Sequence, residues 1–128
     1  MLCIDPGPKY SGYVIVFGNE VLEAGKIPSF DILKIPRLKG DIVLIEKIEP
    51  RGVAGHNVID TAIMCGRFYQ HFKDLGCVVV FIERREVLKG LKCKNDSEII
   101  KLLKGQYEGK KVTRDAWQAL ALHHYYEV

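Results

Sequence analysis

Apolar residues fall in short dense blocks over the first half of the chain and in a wider, helical rhythm over much of the second. Residues 1–5 read as a strand, 12–17 ("GYVIVF") as a second and 20–27 ("EVLEAGKI") as a third. Gly18-Asn19 supplies a tight hairpin turn between the last two, since both residues tolerate positive φ. Pro28 and Ser29 break the pattern, and "SFDILKI" predicts a short helix cut off by Pro36. "DIVLIEKIE", 41–49, is a fourth strand. Its unbroken apolar run predicts burial on both faces, as for a central strand beside parallel neighbours.

The loop "PRGVAG" follows, then a helix from about Val58 to Lys73. Asn57 is its expected N-cap, and Asp60 falls in the first turn, where the helix dipole favours negative charge. Val58, Ala62, Cys65, Tyr69 and Phe72 recur at three- and four-residue spacing as one apolar stripe. Gly76 ends the helix, and "CVVVFIE", 77–83, is a fifth apolar strand. "NDSE", 95–98, resembles a capping box opening a helix of roughly 96–104. Thr113 caps a last helix, 114–126, with Trp117, Leu120 and Ala121 inward. The order is β-β-β-(short α)-β-α-β-α-α, with no repeat and no low-complexity segment. Right-handed crossover makes the strand–helix–strand unit parallel. The expected architecture is a mixed α/β sheet of five strands with helices packed on it.

At 128 residues, 48% hydrophobic and 27% charged, the chain reads as a single domain over 1–128 with a real core. No apolar run approaches the roughly 18 residues needed to span a bilayer, and no basic-then-apolar leader opens the sequence. A cytoplasmic protein is expected. Cys3, Cys65, Cys77 and Cys93 contain no C-x-x-C pair, so they read as reduced thiols rather than a zinc site. The net charge of +3 is uneven: Arg84 to Arg114 holds ten basic and four acidic residues, which is +6 and leaves −3 elsewhere. Such a segment is either a solvated face or a polyanion-binding one.

Three carboxylates stand out against this pattern. Asp5 ends the first strand, Glu46 interrupts the apolar run of the fourth, and Asp115 opens the last helix. Asp5 alone suits a turn before Pro-Gly, and Asp115 alone suits a helix N-terminus. Glu46 needs a reason, because a buried ionised carboxylate is costly without a counter-charge. If strands one and four are neighbours, Asp5 and Glu46 face one spot, and a helix packed over them brings Asp115 there too. Carboxylates brought together repel unless a cation sits between them, and hard oxygen ligands suit Mg²⁺ or Mn²⁺.

The segments "CIDPG…SGYVIV", "VLIEKIEPRGVAGHNVIDTAIMCGRF" and "DAWQALAL" resemble the RuvC-like Holliday junction resolvases of the RNase H superfamily. The likeness is to the short versions carried by bacteriophages and prophages, where a strand ending in I-E precedes a Gly-containing loop and a helix ending in G-R-F. "RREVLKGLKCKNDSEIIKLL" looks like that branch's basic stretch. The resemblance covers nearly the whole chain, in order, and implies an RNase H-like fold with helices on both faces of the sheet. Carried over by position, Asp5, Glu46 and Asp115 match the metal-binding carboxylates. Bacterial RuvC has a second aspartate three residues after the first in its last motif; here that position is Gln118, which shares a helix face with Asp115 and brings no charge. Glu49 is a possible substitute, though its odd offset from Glu46 turns it to the other face of a strand. His123 and His124 read as packing or surface residues, with a supporting role behind the ligands open to His124.

The resemblance implies a Mg²⁺- or Mn²⁺-dependent endonuclease, with two ions per site, that nicks paired strands of a four-way or other branched DNA junction as a twofold homodimer. Encoded by a phage, it would act in the host cytoplasm. The helix 58–73 is the expected dimer element. Lys9, Arg51, Arg84, Arg85, Lys89, Lys92, Lys94, Lys110, Lys111 and Arg114 are expected to position phosphates, and "EPRGVAGHN" to enter the junction centre. The rivals are a junction-binding module with a weakened site and an RNase H-like nuclease acting on structured RNA. An actin-like ATPase, which opens with a similar D-P-G, needs two domains that 128 residues cannot supply.

Overall fold

The computed structural model describes residues 1–48, 55–107, 112–113 and 116–127. These form β1 (Leu2–Asp5), β2 (Tyr10–Phe17), β3 (Glu20–Pro28), α1 (Ser29–Ile32), β4 (Ile42–Lys47), α2 (His56–Asp74), β5 (Val78–Glu83), α3 (Arg84–Gly90), α4 (Asp96–Gln106) and α5 (Trp117–Glu127). The five strands make one mixed sheet in the order β3-β2-β1-β4-β5. β1, β2 and β3 are antiparallel neighbours, while β1–β4 and β4–β5 are parallel. β1 and β4 are therefore neighbours, as the convergence of Asp5 and Glu46 requires.

Side-chain alternation divides the core into two layers. Leu2, Ile4, Val43 and Ile45 point to the face covered by α1 and α2, against Ile32, Met64, Phe68 and Phe72. Cys3, Val14, Leu44 and Ile82 point to the other face, against Val87, Ile99, Leu103 and the apolar side of α5. Helices thus cover both faces. β4 is central, and Val43, Leu44 and Ile45 are fully buried.

Several local expectations need correction. The tight turn at Gly18-Asn19 forms, but only Gly18 takes positive φ, at +60°. α2 begins two residues early, with Gly55 at the N-cap, so Asn57 caps nothing with its side chain. Asp60 then lies beyond the first turn and pairs with His56 at 3.0 Å. The buried stripe of α2 is Thr61, Met64, Cys65, Phe68 and Phe72. The larger Met64 and Phe68 take the inward places, Ala62 faces solvent, and Tyr69 stacks on Phe81 at the sheet margin with ring centroids 5.4 Å apart. β5 is an edge strand rather than a fully buried one, with Val78 and Phe81 substantially exposed. α3 is unforeseen: its sequence RREVLKG buries only Val87 fully and so shows no apolar stripe. Half of the expected capping box of α4 forms, with Asn95 Oδ1 accepting from Glu98 N at 3.0 Å, while the Glu98 carboxylate reaches one residue past the cap and accepts from Lys94 N.

Candidate active site

Asp5 and Glu46 end adjacent parallel strands. The β1–β4 register, Cys3 beside Leu44 and Ile4 beside Ile45, carries on to put Asp5 beside Glu46. Cys3 and Leu44 both face the α3–α5 layer, so the residues two positions on, Asp5 and Glu46, face it too. The turn after Asp5 is held by a ring of hydrogen bonds. Gly7 N donates to Ser11 Oγ at 3.2 Å, Ser11 and Ser29 hydroxyls meet at 2.7 Å, and Ser29 Oγ donates to the Gly7 carbonyl at 2.8 Å. Both serines are buried. A side chain at Gly7 would overlap the Tyr10 carbonyl. The D-P-G motif is therefore a fixed corner that aims the aspartate.

The two carboxyl groups are within hydrogen-bonding reach of each other. Burial, then the hydrogen bond to Asp5, then the charge of Asp5 push Glu46 from the usual carboxylate range to about 8, with Arg84 pulling the other way. Asp5 is also raised, chiefly by burial, against the lowering effect of Glu46, Arg84 and Lys26. Without a cation, the pair retains a proton near neutrality. This is the donor set a hard divalent cation takes: crowded oxygens whose repulsion only positive charge relieves. Among the described residues, no group of three or more His, Cys, Asp or Glu is disposed as a metal cage. Asp5 and Glu46 supply two oxygen donors, and Asp115 lies outside the described residues.

Two clefts meet at Asp5. One, of about 300 Å³, is lined by Asp5, Pro6, Glu46, Lys47, Ile48, Thr61 and Arg84. The other, of about 330 Å³, is lined by Asp5, Tyr10, Lys26, Asp96, Ile100 and Gln118, among others. The start of α5 thus reaches the site, and Gln118 shares a cleft with Asp5. The Gln118 Oε1 atom is buried with no hydrogen-bond partner among the described residues.

Arg84 sits closer to the carboxyl pair than a phosphate contact on an outer face would. Its Nη1 lies 3.4 Å from Glu46 Oε1, and its Nη2 lies 3.1 Å from Asp96 Oδ2. The Glu46 contact is an ion pair by distance but lacks hydrogen-bond geometry. Asp96, read from sequence only as a capping-region acid, and Lys26 and Lys47, which carried no signal, are also brought to the site. The signal for Asp96 was available in principle, since a segment following a parallel strand crosses that strand's carboxyl end.

The remaining nominated residues are scattered. His124 lies in a separate cleft with Asn19, Gln106, Tyr107 and Glu127, its ring edge-on to Tyr107 at 6.1 Å. That places it away from the carboxylate pair, because α5 carries it to the far end of the sheet. Arg85 Nε bonds Glu83 Oε2 at 2.7 Å. Lys9, Lys89, Lys92 and Lys94 are exposed, and Lys94 lines a cleft of about 570 Å³ with Arg84 and Asp96. Glu49, Arg51, Lys110, Lys111 and Arg114 lie outside the described residues, as does most of the "EPRGVAGHN" loop. The four cysteines are free thiols. Among the described residues, no helix is long and apolar enough to cross a membrane.

No family model matches the sequence, and no curated protein does either. The backbone does find structural neighbours. Thermus thermophilus RuvC superposes with a TM-score of 0.72 at 16% identity, covering 99% of this chain and 95% of that one. T. thermophilus RuvC in complex with Holliday junction substrate gives 0.72 at 17% identity with the same coverage. The five-stranded mixed sheet with its helices is thus the RNase H-like fold of RuvC.

Proposed function

We propose that this protein is a metal-dependent endonuclease that resolves four-way or branched DNA junctions by phosphodiester hydrolysis. One observation carries the reading: two shielded carboxyls, Asp5 and Glu46, adjoin at the carboxyl ends of neighbouring central strands of a RuvC-type fold. Asp5, Glu46 and Asp115 are the residues that would hold Mg²⁺ or Mn²⁺, two ions per site. Such ions supply Lewis acidity, lowering the pKa of an attacking water and stabilising the departing oxygen. Asp5 and Glu46 bring the negative charge that makes the site selective for a dication over a proton as pH rises. Arg84 and Lys26 lie beside that charge and favour an approaching phosphate. Lys9, Arg85, Lys89, Lys92 and Lys94, with Arg51, Lys110, Lys111 and Arg114, position the backbone of the DNA without reading its sequence.

Paired cuts need paired sites. The outer side of α2 exposes Ile59 and Ile63, each a little over half exposed, beside exposed Ala62 and Gly66. That small-and-apolar strip favours a twofold homodimer through α2. Sedimentation should show a dimer that Ile63→Glu dissociates. The strand-ending I-E and the helix-borne G-R-F support placement in the phage-type branch, within one domain spanning 1–128.

Purified protein on a labelled four-way junction tests the reading directly. Mg²⁺-dependent paired nicks are expected from the wild type and none from Glu46→Gln, and normal cutting by that variant ends the assignment. Junction binding should weaken steeply with salt; a flat dependence argues against a basic contact face. The uncharged Gln118 in the cleft with Asp5 favours a second reading, a junction-binding module with a weakened site. Titrating Mn²⁺ separates the two: cleavage supports the nuclease, and a band shift without cleavage supports the module. RNA hairpins run beside junction DNA test for an RNA substrate.

A further inference from the structure

Arg84 opens α3 directly after the last residue of β5 and reaches back over the end of the sheet. Its guanidinium is divided between two carboxylates of different character. Asp96 is about half exposed and holds Nη2 at 3.1 Å; Glu46 is shielded and stands 3.4 Å from Nη1. Nη1 is itself buried and has no hydrogen-bond acceptor among the described residues. A buried donor left unmatched is costly, so this nitrogen is held at Glu46 by charge rather than by a good bond. Asp96 is a firm anchor, because Asn95 and Glu98 lock the first turn of α4 around it.

We propose that Arg84 is a positioning residue that stands in for a cation at Glu46, and that Asp96 competes with Glu46 for it. The Arg84–Asp96 pair then sets how readily the Asp5–Glu46 pair accepts a divalent ion. This rests on the reading that Asp5 and Glu46 hold such an ion. Two positive groups close to one carboxylate repel each other, so an entering cation displaces the guanidinium from Glu46. Asp96 makes that displacement easier, because the guanidinium keeps one carboxylate partner when it lets the other go.

The test is Mn²⁺ affinity of the whole chain without DNA, measured by calorimetry. Arg84→Gln removes the stand-in and should bind Mn²⁺ about fivefold more tightly. Asp96→Asn leaves Arg84 with Glu46 alone and should bind about fivefold more weakly. In the double variant, Asp96→Asn should have little further effect, leaving the affinity within about twofold of Arg84→Gln. Two independent charge effects would instead add. Additivity in the double variant, or no tightening in Arg84→Gln, overturns the proposal. Asp96 is on an exposed helix end, so Asp96→Asn decides the matter even if Arg84→Gln fails to fold: unchanged Mn²⁺ affinity in Asp96→Asn overturns the proposal too. Glu46→Gln distinguishes the layers. Mn²⁺ binding that it does not weaken removes the cation site itself, and the proposal with it. Glu46-dependent binding with additive Arg84 and Asp96 effects removes only the competition.

Discussion

Glu46 and Glu83 lie near the ends of the neighbouring parallel strands β4 and β5, and the chain treats them in opposite ways. Their side chains are almost equally shielded, 14% and 19% exposed. Glu83 is met by cations: Lys47 Nζ lies 3.9 Å away and Arg85 Nε 2.7 Å away. Glu46 faces another carboxyl, and among the described residues the cation paired with it is a guanidinium shared with Asp96. The register sets this difference. Glu46 lies opposite Ile82, and Glu83 lies opposite Lys47, so alternation sends the two glutamates to different faces. Shielding alone therefore does not set Glu46 apart from Glu83. Company does: a shielded glutamate already neutralised is structural, and one pressed against a second acid lacks a cation.

The largest expected effect breaks or keeps this contrast outright. Glu46→Gln and Asp5→Asn should each lower Mg²⁺-dependent junction cleavage by about 10³-fold or more, while Glu83→Gln stays within about threefold. Equal losses at Glu46 and Glu83 would erase the distinction.

A smaller effect sharpens it through pH. The folded-state pKa of Glu46 is raised, from 4.5 to about 8. Its contribution to stability is therefore fully present below about pH 4.5 and is lost as pH rises through about 8. Metal-free wild type should lose more stability to urea between pH 5 and 9 than Glu46→Gln does, and Glu83→Gln should follow the wild type. A wild-type slope matching that of Glu46→Gln would mean that the carboxyl pair is not crowded. Mn²⁺ should raise the melting temperature more at pH 8 than at pH 6, because at the lower pH it must displace a proton.

The smallest effect concerns the satisfied partner. Arg85 is 71% exposed, so Arg85→Ala should cost less than about 1 kcal/mol in urea denaturation, and less still in high salt. A much larger loss would make Glu83 a buried-charge site like its neighbour.

The strands and the paired carboxylates were legible because a period of two fixes which face each residue takes. A glutamate inside VLIEK cannot hide among apolar neighbours. Asp5 was legible once its corner was read as a turn. The position of β5 at the sheet edge was not, since an apolar run looks the same at an edge and in the middle until its neighbours are known. α3 escaped because one fully buried residue, Val87, makes no stripe. Arg84 was read as a phosphate contact because a charge run does not say which of its members turns inward. Asp96 passed for a cap because the capping-box pattern around it read as complete without a further role.

β5 passes into α3 with no residue between them: Glu83 ends the strand and Arg84 begins the helix. One inserted residue would swing the guanidinium by roughly 100° around the helix axis, away from both acids. One deleted residue would swing it as far the other way. A change of length at this joint would thus carry Arg84 away from Glu46 and Asp96, whereas a substitution elsewhere in α3 leaves its direction unchanged.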